Sequence, residues 1–238
     1  MGLFTEPLKK LNFYRENARK RGLLLEYMYD PAAAWPQSRS LVLQEDTAVE
    51  LGGEKGSLFM VLWTKELDML CRDSISIVGP KLMDAVPAKM PFAQIILVGG
   101  EFEDEYNTYR DIMDVIFDTR LEGVSTRLWP DRQRIWCRLS NEAVEEGFDL
   151  FRYGSTLLQN FKSQSWIQSA EVIFVTTAEE LEMLLPEAKK VQNILEAMQK
   201  MYEEMIFDCE TCDYREVCEE VESLQEIRQK LLKERGQA

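Results

Sequence analysis

The chain has 238 residues, and 42 acidic side chains against 28 basic ones give it a formal net charge of −14. This negative charge repels the phosphate backbone of nucleic acids, so nucleic acid is not an expected partner. The sequence contains no histidine, which excludes Ser-His and Cys-His hydrolases and zinc sites with histidine ligands. No segment approaches the roughly 18 uncharged apolar residues of a membrane span, so no membrane association is expected.

The first element predicted along the chain is a helix from Thr5 to Arg21, with Thr5 as its N-cap and Gly22 at its end. This stretch is amphipathic and basic, and it lacks the continuous apolar core of a secretory signal. An odd number of cysteines, five in all, also favours a reducing compartment. We therefore expect a cytoplasmic protein whose residues 1–45 form an N-terminal helix and a linker.

Three β-like runs follow, at Leu58–Thr64, Ile75–Gly79 and Phe92–Gly99. The third run is the most continuously apolar, which is typical of a strand covered on both faces, so we predict it at the centre of a sheet. An apolar stripe then predicts a helix over Glu103–Glu122.

The segment Arg134–Ser140 alternates between apolar and polar side chains, which predicts a strand with Cys137 pointing inward. Ser140 is predicted to cap a short helix, Phe151–Lys162 to form another helix, and Ala170–Val175 another strand. Interleaved strands and helices predict an α/β or α+β domain over residues 46–176, with a mixed sheet covered by helices.

From Thr177 the pattern becomes helical. Thr177 and Glu180 are spaced as a capping box, and Pro186 is expected to kink or delay the helix. One stripe of the helix is apolar and rich in methionine: Leu181, Leu184, Leu185, Ala188, Val191, Ile194, Leu195, Met198, Met201 and Met205. Residues 177–238 are therefore predicted to form a helical hairpin with cysteines in its turn.

Three cysteines, Cys209, Cys212 and Cys218, form a C-x2-C-x5-C pattern in this turn. The C-x2-C spacing lets two sulfur atoms converge on one ion or cluster, so we predict that these cysteines bind either an iron–sulfur cluster or zinc. Both normally take four protein ligands, so a carboxylate, a water molecule, a substrate or a cysteine of another chain would have to complete the site. The competing interpretation is that the three are free thiols, with Cys218 buried in the helix packing.

A longer set of segments resembles the beta subunit of carbon monoxide dehydrogenase/acetyl-CoA synthase, in order and in approximate spacing. These segments are VELGG (49–53), VLWT (61–64), ISIVGP (75–80), PFAQIILVGG (91–100), DRQRIWCRLSNEAVEEGF (131–148), RYGSTLLQNFKSQ (152–164) and EVIFVTTAEEL (171–181). The resemblance implies the α/β middle domain of that family over residues 46–176.

The resemblance also implies a chemistry, in which a nickel–iron–sulfur centre joins a methyl group, carbon monoxide and coenzyme A into acetyl-CoA. The resemblance implies that Cys209 and Cys212 match the first pair of cluster cysteines of the family, and that Cys218 stands in for the third at a shortened spacing. The sequence lacks the later cluster cysteine and the Cys-Gly-Cys that holds the reactive nickel. We therefore expect a truncated member, unable to make acetyl-CoA alone, with a corrinoid protein or a carbon monoxide dehydrogenase-type protein as partner.

The resemblance links the middle domain to coenzyme A, and the sequence offers arginines that suit its phosphates. The candidate binding residues are Arg127, Arg132, Arg134, Arg138 and Trp136, with Arg120, Arg152 and Trp129 nearby in sequence. The competing interpretation is that these arginines are solvated charges that pair with the many carboxylates.

A second function class remains open on the sequence alone. The chain could be a metal-free module for protein interaction or dimerisation, in which the methionine-rich stripe docks a partner or a second copy.

Overall fold

The computed structural model describes residues 2–82, 89–203 and 212–235. Seven helices and nine strands lie within these ranges. The helices are α1 (Thr5–Lys20), α2 (Glu105–Asp118), α3 (Asn141–Glu145), α4 (Leu150–Lys162), α5 (Ala178–Glu203), α6 (Arg215–Glu220) and α7 (Glu222–Glu234). The strands are β1 (Leu24–Met28), β2 (Thr47–Gly52), β3 (Ser57–Thr64), β4 (Ser74–Val78), β5 (Lys89–Met90), β6 (Phe92–Gly100), β7 (Val124–Trp129), β8 (Arg134–Ser140) and β9 (Ile167–Val175).

The strands form two sheets, and both are mixed. The first has five strands in the order β1-β4-β9-β6-β3, in which β4 and β9 run parallel, as do β6 and β3. The second has four strands in the order β5-β2-β8-β7, and β8 lies antiparallel to both of its neighbours. The predicted α/β class and mixed strand order are confirmed. The sequence analysis did not anticipate the division into two sheets.

The five-stranded sheet is covered on both faces. One face carries Glu171 of β9, which binds Arg15 of α1, and the same face of β3 packs against α5. The opposite face carries Phe174, whose ring lies 5.3 Å from that of Tyr153 in α4. Every residue of β6 is buried as a result, as the apolar run predicted, although β6 lies beside the central strand β9 rather than at the centre.

Helix α4 and the four-stranded sheet share that second face. Tyr153 faces the core between them, and Cys137 of β8 is fully buried there, so the predicted inward orientation of Cys137 is confirmed. Ser140 accepts a hydrogen bond from the backbone N–H of Ala143 at the start of α3, which confirms the predicted cap. The outer face of the four-stranded sheet is left without a helix over it among the described residues.

Two predicted N-terminal cap interactions do not form, although the helices begin where they were expected. Phe4 rather than Thr5 is the N-cap of α1, and the Thr5 hydroxyl donates to the carbonyl of Gly2. The capping box does not form either: within the described chain the Thr177 hydroxyl finds no partner, and Glu180 instead binds the guanidinium of Arg21 at 2.6 and 2.8 Å. An ion pair between elements has replaced a local hydrogen bond in the second case.

The methionine-rich stripe of α5 is inside the molecule. Its members from Leu181 to Met201 are mostly buried against β3, α1, α6 and α7, although Leu185 is exposed. Helix α5 continues through Pro186, so the helix is not delayed there. The turn predicted between the helices lies largely outside the described residues, and the segment after it contains two helices, because helical structure is interrupted at Val221. Met205 lies outside the described residues, and the described part of the stripe is used mainly in packing within the chain.

An ion pair buried between α1 and β9 fixes the N-terminal helix on the sheet. The Arg15 guanidinium donates to Glu171 at 2.7 Å and to Glu26 at 3.3 Å. The side chains of Arg15 and Glu171 are 2% and 1% exposed, whereas Glu26 is 36% exposed. Burial raises the pKa of Glu171 to about 7, and the charge of Arg15 opposes this rise.

We predict that Glu171→Gln lowers the free energy of unfolding by about 3 kcal/mol, because it leaves the Arg15 charge buried without its closest counter-charge. Urea denaturation followed by circular dichroism measures this change. The matched control is Glu26→Gln, which removes the solvent-facing partner of the same arginine and should cost less than about 1 kcal/mol. Equal losses in the two variants would contradict the assignment of Glu171 as the main partner.

Candidate functional site

The outer face of the four-stranded sheet collects basic and aromatic side chains. Strand register places Arg127 opposite Trp136, and Trp129 opposite Arg134, on adjacent strands β7 and β8. Opposite residues of an antiparallel pair share a face, and residues two apart along a strand do so as well, so Arg138 joins the group. The predicted grouping of Arg134, Trp136 and Arg138 on one face is confirmed. We call these five side chains the basic face.

Two guanidinium groups lie against Trp136. The Cζ atom of Arg138 is 4.4 Å from the ring centroid, and that of Arg127 is 5.3 Å from it. Both distances are within the range of a cation–π interaction. The indole thus holds two like charges close together, which leaves a concentrated positive site on a chain whose net charge is −14.

Backbone geometry at Gly52 allows the approach of β2 to this region. Gly52 has a φ of +81°, and a Cβ atom at this position would lie 2.4 Å from the carbonyl oxygen of Ile135. Only glycine fits such a contact, and the next residue, Gly53, packs beside the Trp136 ring. The glycines of the VELGG segment are thus explained by the packing of β2 onto β8.

Most of the positive charge on the basic face is not neutralised. Within the described part of the chain, Arg127 and Arg134 have no carboxylate at ion-pair distance. Arg138 pairs with Glu50 at 3.1 Å, and Glu50 also lies 3.4 Å from Lys89. An ion pair is therefore present for Arg138, whereas Arg127 and Arg134 are exposed to solvent.

Of two further predicted residues, Arg132 borders the basic face and Arg152 does not. Arg132 is exposed in the turn between β7 and β8, 4.0 Å from Asp131. Arg152 belongs to a different place, because its guanidinium lies 4.3 Å from the ring of Trp35. The turn itself is held to α5: Gln133 donates to the carbonyl of Ala188 at 2.7 Å, and Gln192 donates to that of Asp131 at 2.9 Å.

The predicted metal ligands are only partly within the described residues. Cys209 lies outside them, so the structure does not place this thiol. Cys212 is half-buried just before α6, and Cys218 is buried on α6 against α5 and α7. Among residues 2–82, 89–203 and 212–235, no three Cys, Asp or Glu side chains are grouped so as to hold a metal ion. The described residues alone therefore do not fit a four-ligand cluster.

The other two cysteines differ in chemistry. Cys137 is fully buried, and the loss of solvent raises the pKa of its thiol to about 12. A neutral, enclosed thiol is a poor nucleophile and a poor metal ligand. Cys71 is exposed in the loop before β4.

The described fold is an α/β protein of two mixed sheets that presents a basic, tryptophan-containing surface. No helix within the described ranges is both long and apolar enough to cross a bilayer. The family model of the CO dehydrogenase/acetyl-CoA synthase complex beta subunit matches residues 38–181, which is more than half of the chain. The chain belongs to this family, as the resemblance of its segments indicated.

Individual relatives agree with the family model. The acetyl-CoA decarbonylase/synthase complex subunit beta 1 of Methanosarcina mazei is 26% identical over 180 residues, which cover 72% of this chain and 38% of the relative. The corresponding subunit of Methanosarcina thermophila is 27% identical over 180 residues, with the same coverage. The subunit beta of Methanopyrus kandleri is 30% identical over 158 residues, covering 61% of this chain and 32% of the relative. The chain thus spans less than two-fifths of the length of these relatives.

Thiol labelling tests the assignment of the cysteine environments. We predict that iodoacetamide at pH 8 modifies Cys71 rapidly in the native protein and leaves Cys137 unmodified, because Cys137 is enclosed and protonated. Peptide mass spectrometry reads out both positions, and labelling in urea, where both thiols should react, is the control. Native modification of Cys137 at a rate near that of Cys71 would contradict its placement in the core.

Proposed function

We propose that the basic face binds coenzyme A as part of the acetyl-CoA chemistry of a multi-subunit complex. The observation that carries this proposal is the stacking of Arg127 and Arg138 on Trp136, since it concentrates guanidinium donors at one place on an acidic protein. Coenzyme A carries a diphosphate and a 3′-phosphate, and guanidinium groups bind phosphate oxygens in pairs. Family membership supports the same ligand, because the relatives are named for acetyl-CoA.

The two tryptophans of the face suit different roles. Trp136 already contacts two guanidinium groups, so an adenine ring stacked on it would have to displace one of them. Trp129 is 39% exposed at the end of β7 and lies opposite Arg134. We propose that Trp129 stacks on the adenine while Arg127, Arg138 and Arg134 bind phosphates.

We predict that Arg127→Ala weakens coenzyme A binding by about tenfold or more, because a charge-assisted hydrogen bond contributes about 1.5–3 kcal/mol. Isothermal titration calorimetry at low salt measures the dissociation constant. The matched control is Arg152→Ala, which removes another arginine stacked on a tryptophan and should leave binding unchanged. Absence of heat with the unaltered protein at millimolar coenzyme A would remove the proposal.

We propose an accessory role for this chain in one-carbon, corrinoid-linked metabolism rather than independent synthesis of acetyl-CoA. The role is supported by family membership and by the lack of a Cys-Gly-Cys sequence within these 238 residues. Formation of acetyl-CoA from a methyl donor, carbon monoxide and coenzyme A by the purified chain alone would contradict it.

We also propose that Cys209, Cys212 and Cys218 bind an iron–sulfur cluster, with zinc as the alternative metal. The support is the C-x2-C-x5-C spacing and the placement of Cys212 and Cys218 on and beside one short helix. A fourth ligand would come from a carboxylate, a water molecule, a substrate or another chain. The cluster would supply electron transfer or bridge to a further metal when bound.

Anaerobic purification tests the cluster. We predict brown protein with iron and sulfide, and a loss of at least half of the iron in Cys209→Ser and Cys212→Ser variants. Cys71→Ser is the matched control and should retain full iron, because Cys71 lies in another part of the fold. A colourless protein that contains stoichiometric zinc would favour the zinc alternative, and a colourless metal-free protein would leave the interpretation as free thiols.

Protein partners follow from the family, because the relatives are subunits of a complex. We propose that the chain contacts a corrinoid protein or a carbon monoxide dehydrogenase-type protein in the cytoplasm, and that a homodimer is the competing arrangement. The methionine-rich stripe does not support the homodimer, because α5 buries it within the chain. Light scattering that gives the mass of one chain would exclude the homodimer, and a failure to co-purify with either protein would contradict the partner proposal.

A further inference from the structure

One carboxylate of the described strands, that of Glu50, borders the basic face. Glu50 is on β2, where strand register places it opposite Arg138 on one side and opposite Lys89 on the other. Its side chain is 18% exposed, and its two oxygens approach the two cations at 3.1 and 3.4 Å. Glu50 is the only acid within the four described strands of this sheet, and it contacts Lys89 and Arg138.

The contact leaves part of Arg138 available. Glu50 accepts a hydrogen bond from Nε of Arg138, and the terminal nitrogens of this guanidinium have no acceptor among the described residues. A guanidinium presents two edges on which an anion can form paired hydrogen bonds, one through Nε and one through the two terminal nitrogens. Glu50 therefore holds Arg138 by one edge beside Trp136, while the other edge can receive a phosphate.

The hydrogen bond from Arg138 to Glu50 orients the guanidinium for a phosphate, whereas the negative charge of Glu50 opposes phosphate binding. A carboxylate beside a bound phosphate repels it, and this repulsion is expected to weaken the binding of the phosphate a few-fold. It also neutralises part of the field of Arg138 and Lys89, which would otherwise attract anions more strongly. A ligand with one negative charge is therefore expected to bind weakly at such a site. A diphosphate can contact several of the cations at once and is expected to bind more tightly.

We infer that Glu50 is the specificity-determining residue of the basic face, an internal counter-charge that keeps anion affinity moderate and selects for ligands with clustered phosphates. This inference rests on the proposed function of the face as a coenzyme A site. It assigns to Glu50 a role in selectivity and ligand release, in addition to orienting Arg138.

The test uses two substitutions with opposite expectations. Glu50→Gln keeps an acceptor for Arg138 and removes the charge, so inorganic pyrophosphate and coenzyme A should both bind about threefold to tenfold more tightly, with a steeper dependence on salt. Glu50→Asp keeps the charge and should stay within about twofold of the unaltered protein. Glu45→Gln, an exposed acid outside the face, controls for the change in net charge.

Calorimetry with pyrophosphate decides the inference independently of coenzyme A. Unchanged, weaker or undetectable pyrophosphate binding by Glu50→Gln would overturn it, as would an equal gain in Glu45→Gln. Tighter pyrophosphate binding together with no coenzyme A binding in any variant would uphold the role of Glu50 as a counter-charge and would refute the coenzyme A proposal. Matching circular dichroism spectra and melting temperatures establish that the variants are folded. Should Glu50→Gln fail to fold, Glu50→Asp still tests the inference, because a change in pyrophosphate affinity of more than about twofold in that variant would contradict a role of the charge.

Discussion

Strands β6 and β9 are largely apolar and are buried on both faces, and this constraint determines the layers of the molecule. A strand that is apolar on both sides must be covered on both sides, because exposed apolar surface costs about 25 cal/mol for each Å². Helices α1 and α5 cover one face, and α4 with the four-stranded sheet covers the other. The inner face of the four-stranded sheet thus packs over the five-stranded sheet, and it does so with the buried residues Ile135, Cys137 and Leu139. Its outer face remains to carry charged residues.

Charge segregation on that outer face follows from the period of the strands. In β8, alternate residues either enter the core or face outward, so three successive outward positions can carry Arg134, Trp136 and Arg138 without cost to the packing. Ion pairs elsewhere in the chain, such as Arg15 with Glu171 and Arg21 with Glu180, hold elements together. On the basic face, Arg127 and Arg138 contact Trp136, and of these two only Arg138 also pairs with a carboxylate of the described residues, so guanidinium donors stay accessible. On an acidic protein, this local field is what would attract a phosphate-bearing molecule.

The sequence predicted the features that depend on local periodicity. The strands β3, β4, β6, β8 and β9 and the helices α1, α2, α4 and α5 were identified, because each has a clear apolar repeat. Strand β2 was missed, since a bulge between Thr47 and Val49 breaks its alternation, and the division into two sheets depends on pairings between distant segments. The ion pair of Arg15 with Glu171 was also missed. Glu171 directly before the apolar run VIFV was the one available signal, because a charge at the edge of a buried strand requires a partner.

The candidate site was predictable in part for the same reason. Alternation in β8 placed three side chains on one face, whereas the opposition of Arg127 to Trp136 required the pairing of β7 with β8. Arg152 was grouped with this set by proximity in sequence, and its contact with Trp35 shows that proximity is a weak guide across a helix. Glu50 could not have been selected, since nothing in VELGG distinguishes it from the other 41 acidic residues.

Helix α5 connects the basic face with the region of the cysteines. Ala188 and Gln192 hold the turn between β7 and β8, while Glu196, one turn further, accepts a hydrogen bond from Tyr214 beside α6 at 3.1 Å. Ala188 and Glu196 are eight residues apart, which is about 12 Å along a helix. Both regions therefore rest on the same two turns of one buried helix. Because the buried side of that segment packs against β3, the turn that borders the basic face and the start of α6 are positioned by a common support.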